Sequence, residues 1–412
     1  MVSEELGFAT DVPVSQELLT EGKREEISPS SCATLGPFRI ERYFAKHEFS
    51  VQHLLCCSDC EPLHIKELLE LADTDSLKRW ERMSLGYTES SGLPALREEV
   101  ANMYNSNVAA SEVLVLAPEE GIFLSMQALL QPDDEVIVMV PGYQSLSEVA
   151  KAMGCSIKPW GPVLQSDNSL AFNLDTLAAL IGPETKAVIV NFPHNPTGAL
   201  LTASEWKELI RLCRDNQAFL FSDEMYRLLE HDPSTRLPSA CEEMPEASIT
   251  LSGVSKTIGL PGLRIGWLVC KNPEVMSRLR ELRDYTTICN SAPSEILALM
   301  ALRAQDKLLQ RSMSIISSNL MLLQDFFAQH KAAATWHAPK AGPIAFPSFH
   351  LGKPSSVTCQ ELIDQHSLLL LPAEVWEHQP SQQQQRLRIG FGRSSMQAAL
   401  DKLGQYLAQE EL

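Results

Sequence analysis

The chain has 412 residues, 44% of them hydrophobic and 21% charged, which is ordinary for a globular protein and enough for roughly two to three domains' worth of core. Its formal net charge of −18 at pH 7 argues against nucleic acid and anionic membrane as partners, because both bind basic surfaces. No apolar run approaches the ~18 residues of a membrane span, and most of the ten cysteines lie in apolar runs where reduced thiols are the default, so we expect a cytoplasmic protein.

Two segments precede the first regular alternation of elements. Residues 1–36 are acidic and Ser-rich and hold few large apolar side chains, and we interpret them as a mobile leader. Residues 37–76 contain helix-like stretches over residues 38–49 and 64–72, and we interpret them as the N-terminal part of a small domain.

The second segment also contains the spacing His53-x3-Cys57-x2-Cys60-x3-His64, which resembles a set of zinc ligands. Structural zinc sites of this type usually separate their two ligand pairs by about a dozen residues, so that the chain can fold back on itself. Here all four residues fall within one short segment and no second cluster supports them. We therefore predict no metal site.

From residue 77 onward, strand-like and helix-like segments alternate. The β-type runs cover residues 113–116, 135–140, 186–192, 218–222, 248–251 and 265–270, and the helical patterns cover residues 119–130, 145–153, 202–215 and 273–286. This alternation indicates an α/β fold with a mostly parallel central sheet and helices on both faces. Ligands of such sheets bind beyond the carboxyl ends of the strands, so polar residues directly after strands are candidate site residues.

The alternation divides the rest of the chain into two predicted domains. Residues 77–293 form the large domain, and residues 294–412 form a smaller α+β domain. The smaller domain is predicted to begin with a long helix over residues 294–317. It continues with helices over residues 319–330, 359–366 and 395–409, strands over residues 344–349, 368–371 and 386–390, and a Gln-rich solvated turn over residues 381–385.

The stretch T-L-S-G-V-S-K-T-I-G-L-P-G-L-R-I-G, residues 250–266, places Lys256 on a tight loop between two apolar runs. A lysine held there can be partly desolvated, and its amine can then form a Schiff base with a carbonyl group. Arg264 follows eight residues later and offers a fork of donors that suits a phosphate. Taken alone, a loop lysine is most often a solvated surface residue.

The string S-K-T-x-G-L-P-G-L-R-I-G resembles the lysine segment of class I/II aminotransferases, a group of fold type I pyridoxal-phosphate (PLP) enzymes. Further family motifs occur in family order: Y-x4-G-x3-L-R from Tyr87, N-P-T-G from Asn195 and D-E-x-Y from Asp223. The resemblance covers about residues 87–393. It implies a fold type I PLP-dependent transferase and a homodimer with a shared active site.

The resemblance also implies the cofactor contacts, residue by residue. Lys256 would bind the aldehyde of PLP, and Asp223 would face the pyridine nitrogen and keep it protonated. Tyr226 and Asn195 would hydrogen-bond the phenolic oxygen, and Tyr143 would stack on the ring. An Asp after a strand is also a common helix N-cap, so Asp223 has an ordinary alternative role.

The phosphate of PLP would lie at the start of the helical segment A-P-E-E-G. A helix N-terminus presents free amides to an anion, and because Pro118 has no N–H, the donors would be Glu119 and Glu120. We expect the two glutamate side chains to point away from the phosphate. Ser255 and Arg264 would complete the cradle.

Two further phosphate contacts are less direct. Gly253 stands where many relatives carry a second phosphate-binding Ser, and Ser252 could substitute for it. Tyr87 matches a Tyr that crosses the dimer interface to the phosphate of the partner's cofactor.

For the substrate, Arg388 matches the family's C-terminal Arg, which binds the α-carboxylate as a bidentate cation together with Asn195. Arg386 has the same parity along its strand and is the alternative. Residues 55–61, L-C-C-S-D-C-E, depart from the common family pattern and are similar to the arginine-using, capreomycidine synthase-like branch. Our hypothesis is that Glu48 and Asp59 hold a cationic substrate side chain; the alternative is that both are solvated carboxylates.

These observations predict a PLP-dependent aminotransferase that acts on an L-amino acid and a keto acid. An alternative keeps the cofactor and gives a lyase, cyclase or oxidase of a basic amino acid. A ligand-sensing regulator on the same scaffold is disfavoured, because the acidic leader is too short for a DNA-binding module and Lys256 is retained.

Overall fold

The computed structural model describes residues 35–105, 108–376 and 385–410. The predicted leader lies outside these ranges except for its last two residues. The predicted Gln-rich turn also lies outside them except for Gln385. No helix within the described ranges has the length and hydropathy to span a bilayer.

The described chain opens with short elements. In order they are α1 (Arg39–His47), β1 (His53–Leu54), α2 (Ile65–Leu71), α3 (Thr74–Glu81) and α4 (Pro94–Ala101). The first two helices lie within the two predicted helical stretches and confirm them, whereas α3 and α4 were not predicted. Helix α3 begins where Asp73 accepts hydrogen bonds from the backbone N–H groups of Asp75 and Ser76, which is the usual way to satisfy a helix start.

The next part of the chain builds one large sheet and its helices. The elements are β2 (Val113–Leu116), α5 (Pro118–Leu129), β3 (Glu135–Met139), α6 (Ser145–Ala152), β4 (Ser156–Trp160), β5 (Val163–Leu164), β6 (Leu170–Ala171), α7 (Leu174–Leu180), β7 (Thr185–Asn191), α8 (Ala203–Asp215), β8 (Phe219–Asp223), α9 (Ala240–Glu243), β9 (Ser248–Gly253) and β10 (Gly266–Val269). The seven-stranded sheet has the order β2-β10-β9-β8-β7-β3-β4. Strand β10 runs antiparallel to both of its neighbours and every other adjacent pair is parallel, so the predicted α/β fold with a mostly parallel sheet is confirmed.

The strands of this sheet are buried on both faces, which explains their continuous apolar runs. Val138 and Ile189 pack into one core cluster with residues of α5 and α6, whereas their neighbours Ile137 and Val188 pack into another with residues of α7 and α8. Successive side chains of a strand point to opposite faces, so helices cover both sides of the sheet. Each buried Val, Leu or Ile contributes about 1.5–3 kcal/mol relative to exposure.

The remaining elements are α10 (Pro273–Arg283), α11 (Ala292–Arg303), α12 (Gln305–Gln329), β11 (Ala334–Thr335), β12 (Ile344–Ala345), β13 (Ser348–Phe349), α13 (Ser355–His366), β14 (Leu368–Leu369), β15 (Leu371–Pro372), β16 (Leu387–Gly390) and α14 (Met396–Glu410). The predicted single helix over residues 294–317 is wrong, because Ala304 separates the end of α11 at Arg303 from the start of α12 at Gln305. Helix α11 is buried almost throughout, whereas α12 buries one residue in every three or four. The two helices therefore need different surroundings, and the chain turns between them.

Short strands join the two ends of the described chain. Strand β1 pairs in parallel with β14, and β16 lies between β12 and β15. The predicted strand over residues 344–349 is interrupted because Pro347 has no N–H to donate, and that over residues 368–371 is interrupted at Leu370, whose carbonyl accepts from the Tyr43 hydroxyl at 3.1 Å. The pairing of β1 with β14 agrees with a small domain built from both ends, and its boundaries stay a prediction.

Candidate active site

A cavity of about 350 Å³ opens beyond the carboxyl ends of the parallel strands. Asn191 and Asp223, the last residues of β7 and β8, line it, and Lys256 lines it three residues after the end of β9. The cavity brings together most of the predicted site residues: Glu48, Asp59, Glu119, Tyr143, Asn195, Asp223, Tyr226, Ser255, Lys256, Arg264 and Arg388. Glu120 and Tyr87 are the two predicted residues that do not line it.

Asp223 presents a buried carboxyl group to this cavity. Burial raises its pKa from 3.8 to about 7, although the N–H of Met225 and the nearby Lys256 act in the opposite direction. The Met225 N–H donates to Oδ1 at 3.1 Å. The neighbouring Glu224 points elsewhere and accepts from Ser239 Oγ at 3.0 Å and from the Ala240 N–H at 2.9 Å. Asp223 is therefore the carboxyl group of this pair that can meet a ligand.

Two hydroxyl groups at the cavity have no hydrogen-bond partner within the described residues. They are Ser255 Oγ and the phenolic oxygen of Tyr226, and both are buried. Leaving a buried polar group unsatisfied costs about 1–3 kcal/mol. Two such groups in one cavity therefore indicate a polar ligand that completes their hydrogen bonds.

The start of helix α5 also meets the cavity. Pro118 and Glu119 line it, whereas the Glu120 carboxylate lies elsewhere and accepts from Thr287 Oγ1 at 2.8 Å. Glu120 therefore points away from the cavity, whereas Glu119 lines it, and the expected direction of the Glu119 side chain relative to a phosphate stays a prediction. Burial raises the pKa of Glu119, although the nearby Ser145 and Tyr143 act in the opposite direction. A carboxyl group that leans towards its neutral form can tolerate this position.

The aromatic and basic residues around this end are held from several directions. The Tyr143 hydroxyl donates to Glu41 Oε1 at 3.1 Å, and burial together with Glu119 raises the Tyr143 pKa. Arg264 has a left-handed backbone with φ of 56°, a conformation that costs a non-glycine residue about 1 kcal/mol or more. Ser252 donates to the Glu224 carbonyl at 3.4 Å and does not line the cavity. It is therefore not placed to supply the phosphate-binding serine that relatives carry at the position of Gly253.

At the opposite end, Arg388 faces the cavity. Its guanidinium donates to Asn195 Oδ1 at 3.1 Å and to the Cys56 carbonyl at 2.9 Å, and it lies over the Trp376 ring. Arg386 instead donates to the Phe346 and Asn168 carbonyls and does not line the cavity. Of the two arginines left open by the sequence, Arg388 is the one that can reach a ligand here.

The two acidic residues proposed for a cationic side chain differ in their surroundings. Arg393 donates to both carboxylate oxygens of Asp59, at 3.0 and 2.9 Å, so the charge of Asp59 is already compensated. Glu48 forms no ion pair within the described residues, and its pKa is raised by burial and by Asp59. Glu48 is therefore better placed than Asp59 to receive a cation.

Several residues at the cavity were not predicted from the sequence, and three of them carry polar side chains that bear on its chemistry. Arg393 and Glu41 line it, and Ser58 Oγ accepts a hydrogen bond from Lys256 Nζ at 2.9 Å. The sequence offers only a weak indication that Arg393 belongs to the site, since it follows a glycine and lies five residues after Arg388. Ser58 lies within the segment of residues 55–61 that resembles one family branch, but it was not singled out there, and Glu41 belongs to no recognisable motif. In the parts of the chain that the structure describes, no group of three or more His, Cys, Asp or Glu could hold a metal ion.

Comparison with known proteins agrees with this geometry. Residues 67–403 match the family model described as "Aminotransferase class I and II". Capreomycidine synthase of Streptomyces vinaceus is 34% identical over 273 residues, which cover 66% of this chain and 67% of that protein. Arginine–pyruvate transaminase of Pseudomonas aeruginosa is 36% identical over 188 residues, which cover 44% of this chain and 47% of that protein.

A solved structure described as the PLP-dependent cyclase OrfR superimposes with a TM-score of 0.81 at 28% identity, covering 93% of this chain and 99% of that one. The unpartnered hydroxyls of Ser255 and Tyr226, the amine of Lys256 and the buried acid Asp223 fit the phosphate, phenolic oxygen, aldehyde and ring nitrogen of PLP. The chain belongs to the class I and II aminotransferase family, a family of PLP-dependent enzymes with fold type I architecture.

Proposed function

We propose that the chain binds PLP through Lys256 and acts as an aminotransferase on an L-amino acid with a cationic side chain. The observation that carries the proposal is that the Lys256 amine, the Asp223 carboxyl and two unpartnered buried hydroxyls line one cavity. When bound, PLP supplies an aldehyde for the amino group of the substrate and a ring that accepts electrons from Cα.

Four residues at the cavity then have a defined task each. Asp223 keeps the pyridine nitrogen protonated, and burial strengthens this interaction because water does not screen it. Tyr226 donates to the phenolic oxygen, and Ser255 donates to the phosphate. With PLP bound, Lys256 Nζ would remove the proton from the substrate Cα and return it.

Arg388 and Glu48 divide the recognition of substrate. The Arg388 fork matches an α-carboxylate, and the contacts with Asn195 and Trp376 hold it towards the cavity. Glu48, which forms no ion pair among the residues described, offers a carboxyl group for a cationic side chain, whereas Asp59 is paired with Arg393. The relative named as an arginine–pyruvate transaminase supports a basic amino acid as the amino donor.

Spectral titration of the purified, PLP-loaded protein tests this proposal. L-Arginine should perturb the visible cofactor band at lower concentration than L-alanine, and Glu48→Gln should reduce that difference. Equal perturbation by the two amino acids would exclude a cation subsite. A protein that stays colourless with added PLP would exclude the whole proposal.

A second candidate is a PLP-dependent cyclase or lyase of a basic amino acid. It is favoured by the likeness to the synthase and the cyclase described above, both of which align over a large part of this chain. Dependence on an amino acceptor separates the two reactions. Transamination requires a keto acid such as pyruvate for continued turnover, whereas elimination and cyclisation proceed without one.

We further propose a homodimer in the cytoplasm. Tyr87 is 91% exposed, as are Tyr285 at 91% and Leu85 at 82%, which is unusual for large apolar side chains unless another surface covers them. All nine cysteines of the described ranges are free thiols, and eight are buried, which supports a reducing compartment.

A further inference from the structure

Ser58 contacts Lys256 Nζ, the atom on which the proposed chemistry depends. Lys256 Nζ donates a hydrogen bond to Ser58 Oγ at 2.9 Å, and the two residues are separated by 198 positions in the sequence. Both line the cavity. Within the described ranges no other hydrogen bond holds this amine, so Ser58 is the contact that orients it.

The backbone around Ser58 is held firmly on both sides. Leu55 donates to the Leu369 carbonyl at 3.0 Å and accepts from the Gly390 N–H at 2.9 Å, and the Glu61 N–H donates to the Gly392 carbonyl at 2.8 Å. The position of Ser58 is therefore fixed by strands from the distant C-terminal part of the chain.

Close backbone approach makes this arrangement specific. A Cβ atom added to Gly390 would collide with the Cys57 carbonyl, and one added to Gly392 would collide with the Asp59 carbonyl. The neighbours of Ser58 are also fixed, because Cys57 is buried and Asp59 is paired with Arg393. The Ser58 hydroxyl thus has little freedom, and it holds a side chain that has four rotatable bonds of its own.

We propose that Ser58 is a catalytic residue that holds the Lys256 amine in position for attack on the aldehyde of PLP. This inference rests on the proposed function. Once the Lys256 ammonium has released one proton to solvent, the amine can donate one N–H to Ser58 Oγ and keep its lone pair free to attack. As the C–N bond forms, the carbonyl electron pair moves to oxygen and the nitrogen gains positive charge.

The N–H···Oγ bond strengthens at this point, because hydrogen bonds from a charged donor are stronger than neutral ones. The contact therefore stabilises the transition state more than the starting state, which is what accelerates a step. The amine's two protons finally pass to the carbonyl oxygen, which leaves as water, so the step needs no further reactant.

The test is the capture of PLP by the cofactor-free protein, followed by stopped-flow absorbance. Borohydride reduction and peptide mapping confirm that Lys256 is the residue modified, and Lys256→Ala gives the background. Ser58→Ala should lower the limiting first-order rate of linkage about tenfold, the size expected for one hydrogen bond to a charged group. The half-saturating PLP concentration should stay within about twofold, because Ser58 does not take part in the initial non-covalent binding.

Two further variants separate a catalytic from a structural role. Ser58→Thr keeps the hydroxyl and should restore most of the rate. Ser234→Ala, at an exposed serine far along the chain in a surface turn, should behave as the unmodified protein. Thermal unfolding of each variant checks that the cavity is still folded.

The possible results are distinct. A Ser58→Ala protein that links PLP as fast as the unmodified chain would overturn the inference. So would equal slowing by Ser58→Ala and Ser58→Thr together with a raised half-saturating concentration, because that pattern reports a damaged cavity. If the unmodified chain forms no borohydride-stable link at Lys256, the proposed function itself fails, and this outcome is read before any variant is compared.

Discussion

At the scale of single residues, Asp223 shows how a cofactor site opposes stability. Its pKa lies at about 7 in the folded, cofactor-free protein because of burial, against 3.8 when the group is solvated. Between these two values the folded state binds more protons than the unfolded state, so the free energy of unfolding falls as pH rises. The stabilising contribution of this group is complete below pH 3.8 and is lost as pH passes through about 7.

Asp223→Asn should therefore flatten the pH dependence of stability in the cofactor-free protein. A shift from 3.8 to about 7 corresponds to on the order of 4 kcal/mol, so the variant should be the more stable protein at pH 8 and lose that advantage towards pH 4. Chemical denaturation at a series of pH values measures this. Parallel stability curves for the two proteins would show that Asp223 is ionised throughout.

Arg388 and Arg386 form a matched pair, since they lie two residues apart and both are buried, but only Arg388 faces the cavity among the residues described. Arg388→Lys keeps the charge and loses the planar fork, so kcat/KM for an amino donor should fall at least about tenfold, mostly through KM. Arg386→Lys should lower stability through its lost carbonyl contacts and leave KM nearly unchanged. The reverse pattern would assign the carboxylate to Arg386.

At the scale of elements, helix α8 begins with a sequence pattern that caps its N-terminus. Thr202 Oγ1 accepts from the Glu205 N–H at 3.2 Å, and Glu205 Oε2 accepts from the Thr202 N–H at 2.7 Å, which forms a capping box. Thr202→Ala should lower the free energy of unfolding by about 1 kcal/mol. Ser204→Ala removes only a contact of 3.0 Å between the Ser204 and Thr202 hydroxyls and leaves the capping box intact, so it should change this free energy by less than about 0.5 kcal/mol. Denaturant titration of the two variants compares them, and equal losses would mean that Thr202 does not act as the cap.

Elements with a strong local pattern were predictable, and those defined by their surroundings were not. The buried strands β3, β7 and β8 and the helices α6 and α8 were predicted within one residue at each end. Strand β4 was missed because it lies at the edge of the sheet and contains Lys158 and Pro159, which weaken any apolar alternation. The turn at Ala304 was missed because no glycine or proline marks it.

The site follows the same division. The presence of Lys256 and Asp223 at one cavity was predictable, because both residues follow strands whose carboxyl ends meet at the same edge of the sheet. The Asp59–Arg393 pair joins residues 334 positions apart, and no local pattern reports such a contact.

At the scale of the whole molecule, hydrogen bonds connect the segments that carry the exposed Tyr87 and Tyr285 with the start of α5. Thr88 Oγ1 donates to the Asn290 carbonyl at 3.3 Å, which joins the segment of Tyr87 to the segment that carries the exposed Tyr285. Thr287 in turn donates to Glu120 at the start of α5, where the phosphate is expected. If the proposed dimer forms, we expect a second copy of the chain to cover Tyr87 and Tyr285.

Mixed dimers test whether Tyr87 serves the partner's site. Lys256→Ala and Tyr87→Ala should each be poorly active alone. Co-expression with two different tags should yield dimers in which one of the two sites has an intact Lys256 from one chain and an intact Tyr87 from the other. Random pairing makes half of the dimers mixed, so about a quarter of the unmodified activity per chain should return.

The result depends on which chain supplies Tyr87. If Tyr87 acted within its own chain, the mixed dimer would hold one site without the amine and one without the tyrosine, and no activity would return. Purification through both tags isolates the mixed species and should raise the recovered activity to about half, because every dimer then has one complete site. A monomeric protein would carry only one of the two tags, so nothing would be recovered from the second purification step. That result would exclude the dimer as the reason for the exposed tyrosines.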